Sequence, residues 1–291
     1  MKIGSLCTGY GGLDIAVEAY FNAETVWCAE YDKYASQLIA QRFNYPNYGD
    51  IKSIDWAELE PIDILTAGYP CQPFSSAGYR KGTEDERHIF PFILEAISTL
   101  KPRWVILENV RGHLTLGLKE VLAGLTSIGY DARWEVVRAS DVGAPHQRAR
   151  LYVAAYPSGQ GPQRSRDKIN DLANGTTSDS YGNAYQELRR ADRSIPVETV
   201  QIIDRSNRKE HWSRFEITER EVPITLDQAD RLNPGFVEYM MGLPKGWVTD
   251  SELSRTQQLK MLGNGVVPQQ AYYALEQLMK YDTPSEQDLS L

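Results

Sequence analysis

The chain has 291 residues, which suits one large domain with a smaller lobe or two modest domains. Apolar residues make up 42 %, enough for a packed core, but no apolar run approaches the roughly 20 residues that span a bilayer, so no membrane partner is expected. A net charge of −8 argues against nucleic-acid binding as a property of the whole chain, so any such binding must rest on local basic faces.

The predicted elements alternate. Lys2 to Leu6 reads as a strand entering a glycine cluster, and Leu13 to Phe21 has helical spacing with Asp14 in its first turn. Thr25 to Ala29 reads as a strand ending at Glu30, and Lys33 to Phe43 as a helix. Ile62 to Ala67 is a third strand, followed by a Gly/Pro/Ser-rich loop over Gly68 to Gly78. Phe90 to Leu100 is a helix stopped before Pro102. Trp104 to Leu107 is a fourth strand ending at Glu108, and Lys119 to Ile128 a helix closed by Gly129. Asp131 to Arg138 and Leu151 to Ala155 form a late strand pair. From Pro157 to about Asp230 the chain turns rich in Ser, Asn, Gly, Asp and Arg, as in a loop-rich lobe or a partly disordered insert. Order is expected again over Leu232 to Pro244, and a last helix, Gln269 to Lys280, follows the turn Gly263-Asn264-Gly265. Strands alternating with helices imply an α/β fold with a mostly parallel, doubly wound sheet, whose sites form at the carboxyl ends of strands. Cys7 to Gly12, Glu30, Gly68 to Gly78 and Glu108 are all expected along that one edge.

Five motifs carry chemistry. In Cys7-Thr8-Gly9-Tyr10-Gly11-Gly12 the glycines let backbone approach a cofactor. Asp14 stands where the dinucleotide fingerprint needs its third glycine, which counts against an NAD enzyme. Glu30, just past the second strand, suits the two hydroxyls of a ribose, although a surface acid is equally compatible. In Gly68-Tyr69-Pro70-Cys71-Gln72-Pro73-Phe74-Ser75 two prolines stiffen a loop around a cysteine, which suits a nucleophile. Glu108-Asn109-Val110 puts a carboxyl next to an apolar strand, where desolvation would let it keep a proton and act as an acid. In Gln147-Arg148-Ala149-Arg150 an extended backbone would point both guanidiniums to one face. Leu262 to Pro268 is by itself a turn signal.

The three cysteines, Cys7, Cys28 and Cys71, are too few for a disulfide framework, and no Cys or His spacing suits a metal. The opening run Met1-Lys2-Ile3-Gly4-Ser5 does not read as a signal peptide, so a cytoplasmic protein with reduced thiols is expected.

Taken in order, these blocks resemble the DNA cytosine-5 methyltransferase family over nearly the whole chain. Gly68 to Ser75 resembles its catalytic loop, Glu108-Asn109-Val110 its ENV block, and Gln147 to Arg150 its QRxR block. Gly49-Asp50-Ile51 resembles the cofactor-base block, Arg231 to Pro244 the block supporting the recognition lobe, and Gly263 to Pro268 the closing GNxVxP block. The compact size is most similar to short phage- or prophage-encoded members. The resemblance implies a Rossmann-like fold dependent on S-adenosylmethionine (SAM), with a catalytic domain over 1–156 and 255–291 and a target-recognition lobe over 157–254. It implies double-stranded DNA as substrate, a monomer, and room for a cognate restriction endonuclease, in a bacterial or phage-infected cell. Cys71 would attack carbon 6 of a flipped cytosine and Glu108 would act at N3. Arg150 would contact the base carbonyl, and Arg148 would order the catalytic loop. Gly9, Gly11, Gly12, Glu30, Tyr31, Asp50, Ile51, Pro70, Asn264 and Val266 would line the SAM site, and Gln72, Phe74, Ser75 and Gly78 would belong to the loop that closes on DNA. The first block departs from the family's Asp-Leu-Phe: Ser5-Leu6-Cys7 lacks the aromatic, leaving Tyr31 to stack on adenine. A tRNA methyltransferase of the same fold and an idle DNA-binding homologue are the alternatives. The first would carry a Cys-Phe-Thr block, absent here, and the second need not keep Cys71, Glu108, Arg148 and Arg150.

Overall fold

The computed structural model describes residues 1–70, 89–160, 223, 225–227 and 230–279. Among these, six strands form one sheet: β1 (Lys2–Leu6), β2 (Glu24–Ala29), β3 (Ile64–Gly68), β4 (Trp104–Val110), β5 (Tyr130–Val137) and β6 (Arg150–Pro157), in the order β2-β1-β3-β4-β6-β5. The first four are parallel, and β6 runs antiparallel to both β4 and β5. Chain direction therefore reverses only in the late strand pair. β1 connects outward to β2 on one side and β3 on the other, which makes a topological switch point, and their carboxyl ends open a crevice there.

Helices cover both faces, as the continuous apolar strands require. On one face α1 (Gly12–Phe21) buries Leu13, Ala16 and Val17 with Ala271, Ala274 and Leu275 of the last helix. On the other, α3 (Phe90–Leu100) and α5 (Leu118–Ser127) bury Ile93, Ile97, Val121 and Leu125. Between them lies the short α4 (His113–Leu116), and α2 (Lys33–Arg42) starts on an Asp32 side chain that accepts from the Tyr34 and Ala35 amides. The late helices are α6 (Pro234–Met240), α7 (Arg255–Asn264) and α8 (Pro268–Met279). Among the described residues no helix is long and apolar enough to cross a membrane.

Two expectations are corrected. β4 runs through Glu108 to Val110, because antiparallel β6 extends its ladder as far as the Val110–Arg150 pair. Glu108 thus sits on the sheet, in register with Gly68 on β3 and Tyr152 on β6. Gly263 and Asn264 are not a turn but the end of α7. That helix is polar (Arg-Thr-Gln-Gln-Leu-Lys), so it carries no clear apolar stripe, and a Ser254–Gln257 capping box starts it.

Residues 1–161 and 215–279 form one compact unit, and 162–214 with 280–291, the other unit, lie outside the described residues. The stretch 233–254, which the resemblance assigns to the recognition lobe, lies in the first unit.

Candidate active site

The turn after β1 is built on backbone that only glycine holds without strain. Gly9 and Gly11 take φ +59 and +81. A Cβ on Gly12 would lie 2.2 Å from the Val266 carbonyl oxygen, and one on Gly265 would lie 1.8 Å from the Tyr10 ring, so the turn and the segment before α8 touch backbone to ring. Over Gly9, in contrast, a Cβ would meet no atom of the described residues within 4 Å, so among them the turn is open there. The Tyr10 ring is buried, and its hydroxyl donates to the Val266 carbonyl over 2.7 Å. Beneath the turn, Asp14 accepts from the hydroxyls of Ser5 and Thr66, and burial pushes its carboxyl up to about 6 against those bonds. Asp14, which breaks the dinucleotide pattern, thus braces β1, β3 and α1 together.

Glu30 closes the next corner. It is 9 % exposed; one carboxylate oxygen accepts from the Gly9 amide at 2.9 Å and the other from the Asp32 amide at 2.7 Å. Burial raises its pKa, and the two amides oppose the rise. Each oxygen keeps a further lone pair for a ligand hydroxyl. Beside it the Tyr31 ring is 79 % exposed, an aromatic free to stack. Asp50 caps a short 3-10 turn over Ile51–Ser53 through the Lys52 amide, which holds Asp50 at the crevice side while Ile51 is buried. Asn264 and Pro70 are exposed, and Val266 is buried against Tyr10. An open glycine cradle, a fixed carboxylate, an exposed ring and a second carboxylate form a donor set that fits a nucleoside-bearing cofactor.

The second corner lies at β4 and β6. Glu108 is 7 % exposed and its Oε1 pairs with Arg150 Nε at 3.1 Å. Burial pushes its carboxyl up to about 7, against the pull of Arg150 and then Arg148. A Cβ placed on Gly68 would lie 3.7 Å from Glu108 Oε2, so the acid faces the end of β3, three residues before Cys71. The Tyr152 hydroxyl, opposite Glu108 in register, is buried without a hydrogen-bond partner among the described residues. Asn109 Nδ2 donates to the Tyr69 carbonyl at 3.1 Å, and the Tyr69 hydroxyl pairs with His113 Nε2 at 3.0 Å, so the chain is pinned just before Pro70.

Arg148 departs from the i, i+2 reading. It takes φ +31, ahead of β6, so the backbone is not extended there, although its charge and that of Arg150 both act on Glu108. Its Nη2 donates to the carbonyls of Gly263 at 2.8 Å and Gly265 at 2.6 Å. Gln270, fully buried on α8, donates in turn to the Arg148 and Val137 carbonyls.

Cys71, Gln72, Phe74, Ser75 and Gly78 lie outside the described residues. The structure also brings in residues that sequence reasoning passed over, namely Tyr10, Arg42, Glu238 and Trp247, and gives Asp14 a bracing role. An aromatic between two glycines and an acid inside the apolar Phe236-Val237 to Met240-Met241 run were signals for Tyr10 and Glu238. Nothing in sequence pairs Arg42 with Trp247.

A family profile described as C-5 cytosine-specific DNA methylase matches residues 1–191. Among curated proteins, type II methyltransferase M.Bsp6I of Bacillus sp. (strain RFL6) is 38% identical over 166 residues, 54% of this chain and 52% of that protein. Type II methyltransferase M.NlaX of Neisseria lactamica is 40% identical over 162 residues, 53% of this chain and 52% of that protein. The chain spans about half the length of the curated relatives it matches. Among solved structures, the S. pombe Dnmt2 methyltransferase superposes with TM-score 0.62 at 17% identity, covering 96% of this chain and 98% of that one. A putative DNA modification methyltransferase encoded within an E. coli prophage gives TM-score 0.61 at 17% identity over 96% and 99%. The two structures establish a shared Rossmann-like methyltransferase fold.

Proposed function

Because the chain belongs to the C-5 cytosine-specific DNA methylase family, we propose that it methylates carbon 5 of cytosine in double-stranded DNA, with SAM as donor. The observation that carries this reading is the Glu108 corner: a buried acid, held by Arg150 and titrating near neutrality, on the strand beside the one that leads into Cys71.

When bound, SAM supplies an electrophilic methyl group. Gly9, Gly11 and Gly12 provide backbone close to it, Glu30 takes the ribose hydroxyls, Tyr31 stacks on the adenine, and Asp50, Ile51, Pro70, Asn264 and Val266 complete the lining. The target cytosine is flipped from the duplex, since its ring is unreachable inside the stack. The Cys71 thiolate forms a bond to carbon 6 while the Glu108 proton engages N3, and the ring electrons shift so that carbon 5 becomes nucleophilic. Once carbon 5 is methylated, its proton passes to water, the N3 proton returns to Glu108 and the Cys71 sulfur departs, which restores the aromatic ring. Three residues span at most about 11 Å, which keeps Cys71 within reach of a base gripped by Glu108. Arg150 both fixes Glu108 and offers donors to the base carbonyl. Arg148 holds the end of α7 through the Gly263 and Gly265 carbonyls and adds its charge to that of Arg150 on Glu108.

In this proposal residues 157–254 carry target recognition. Gln72, Phe74, Ser75 and Gly78 belong to the DNA-facing loop. The protein works as a monomer in the cytoplasm, as the modification partner of a restriction endonuclease or in self-protection of phage DNA. The test is Cys71→Ser with tritiated SAM: transfer to duplex DNA is expected to fall at least about a thousandfold, the scale for losing a covalent nucleophile. Wild-type transfer by that variant, or transfer to tRNA in preference to duplex DNA, overturns the proposal.

A further inference from the structure

We propose that Trp247 is a positioning residue for the glycine turn and thereby sets the affinity for SAM. This rests on the reading of residues 9–12 as part of the cofactor site.

The indole N–H of Trp247 donates to the Tyr10 carbonyl over 3.0 Å, joining segments 237 residues apart. Tyr10 lies between Gly9 and Gly11, both at positive φ. A turn carried by two such glycines has little intrinsic preference for one shape, so what its carbonyls bond to decides where it sits. Tyr10 is gripped twice, by its own hydroxyl on the Val266 carbonyl and by Trp247 on its backbone.

Trp247 is itself held from three directions. The Glu238 carboxylate, 2 % exposed, accepts from the Gly246 amide at 2.7 Å, the Val248 amide at 2.6 Å, and both the amide and hydroxyl of Thr249 at 3.0 and 2.9 Å. Those four bonds fold 246–249 around one buried acid. From the surface side the Arg42 guanidinium donates to the carbonyls of Gly246, Trp247 and Asp250, and it lies 5.9 Å from the Trp247 ring centroid. The Phe43 ring meets Trp247 edge-on at 5.8 Å, and a Cβ on Gly11 would stand 2.6 Å from the Phe43 ring. The donor is thus fixed before it reaches the turn, and its removal leaves the Tyr10 carbonyl without this bond.

The experiment compares the full chain with Trp247→Phe, which keeps an aromatic ring and deletes the N–H. By equilibrium dialysis with labelled SAM, the Kd is expected to rise about fivefold, the worth of one net hydrogen bond. KM for SAM should rise in parallel while kcat at saturating SAM stays within about twofold, a split that a general loss of structure does not produce. Amide exchange over residues 7–13 should quicken, with β4 and β6 unchanged. Unchanged Kd and exchange, or a fall in kcat with unchanged Kd, overturns the proposal. If Trp247→Phe does not fold, Arg42→Lys carries the test from the surface side: a Kd raised about twofold supports it and a wild-type Kd overturns it. A wild-type chain that binds no SAM refutes the cofactor-site reading instead. The exchange of residues 7–13 then still decides the positioning role.

Discussion

Glu30 and Glu108 stand at the carboxyl ends of β2 and β4, both almost out of water, and they are held in opposite ways. Glu30 accepts from two backbone amides, Gly9 and Asp32, so its oxygens are aimed by the fold of two turns. Glu108 faces one side chain, Arg150, and burial pushes its carboxyl up to about 7. Amides fix direction and favour the anion, which suits holding a pair of hydroxyls. A carboxyl whose desolvation outweighs the pull of Arg150 and Arg148 keeps its proton within reach of neutral pH, which suits giving it away. One edge of the sheet thus carries two buried acids told apart by their donors, which in the proposed reaction are the binding acid and the reacting acid.

Three measurements break or sharpen that contrast. The largest effect belongs to Glu108→Gln, which keeps shape and loses the proton donor. In the proposed reaction kcat should fall by about 10²–10⁴-fold with KM for SAM little changed. The pH profile carries the same information. Glu108's folded pKa is raised, so the protonated form is present below about 7 and is lost above it. The rate should therefore fall on the alkaline side, and Glu108→Gln should remove that limb. An unchanged limb in the variant would assign it to another group.

Glu30→Gln is expected to do the reverse: KM for SAM rises about tenfold, the scale of a lost hydrogen bond to a charged group, and kcat changes little. A variant in which kcat falls and KM holds would erase the distinction between the two corners. The smallest effect is that of Arg148→Lys, whose donor nitrogen stands one bond nearer the backbone than the Nη2 that bonds the Gly263 and Gly265 carbonyls. Unfolding in urea should show a loss of about 1 kcal/mol. A loss of methyl transfer without a loss of stability would instead place Arg148 at the substrate.

Much of the fold was legible because strand and helix periods differ. β1 and α3 fall where apolar spacing and the Gly and Pro stops place them. β4 was read short because its last residues, Glu108 and Asn109, look like loop, and only antiparallel β6 shows that they belong to the ladder. α7 was missed because a polar helix held by its cap and neighbours has no apolar stripe to read.

The sequence alone carried the order of strands and motifs and the glycine turn after β1, because glycine clusters and apolar runs are local properties of the chain. Tertiary structure alone decided how those residues are held: Arg148 on the turn after α7, Arg150 on Glu108, Trp247 on the Tyr10 carbonyl. Such partners lie up to 237 residues apart. A hydrogen bond depends on where two segments meet in space, and no local pattern of residue types encodes that meeting.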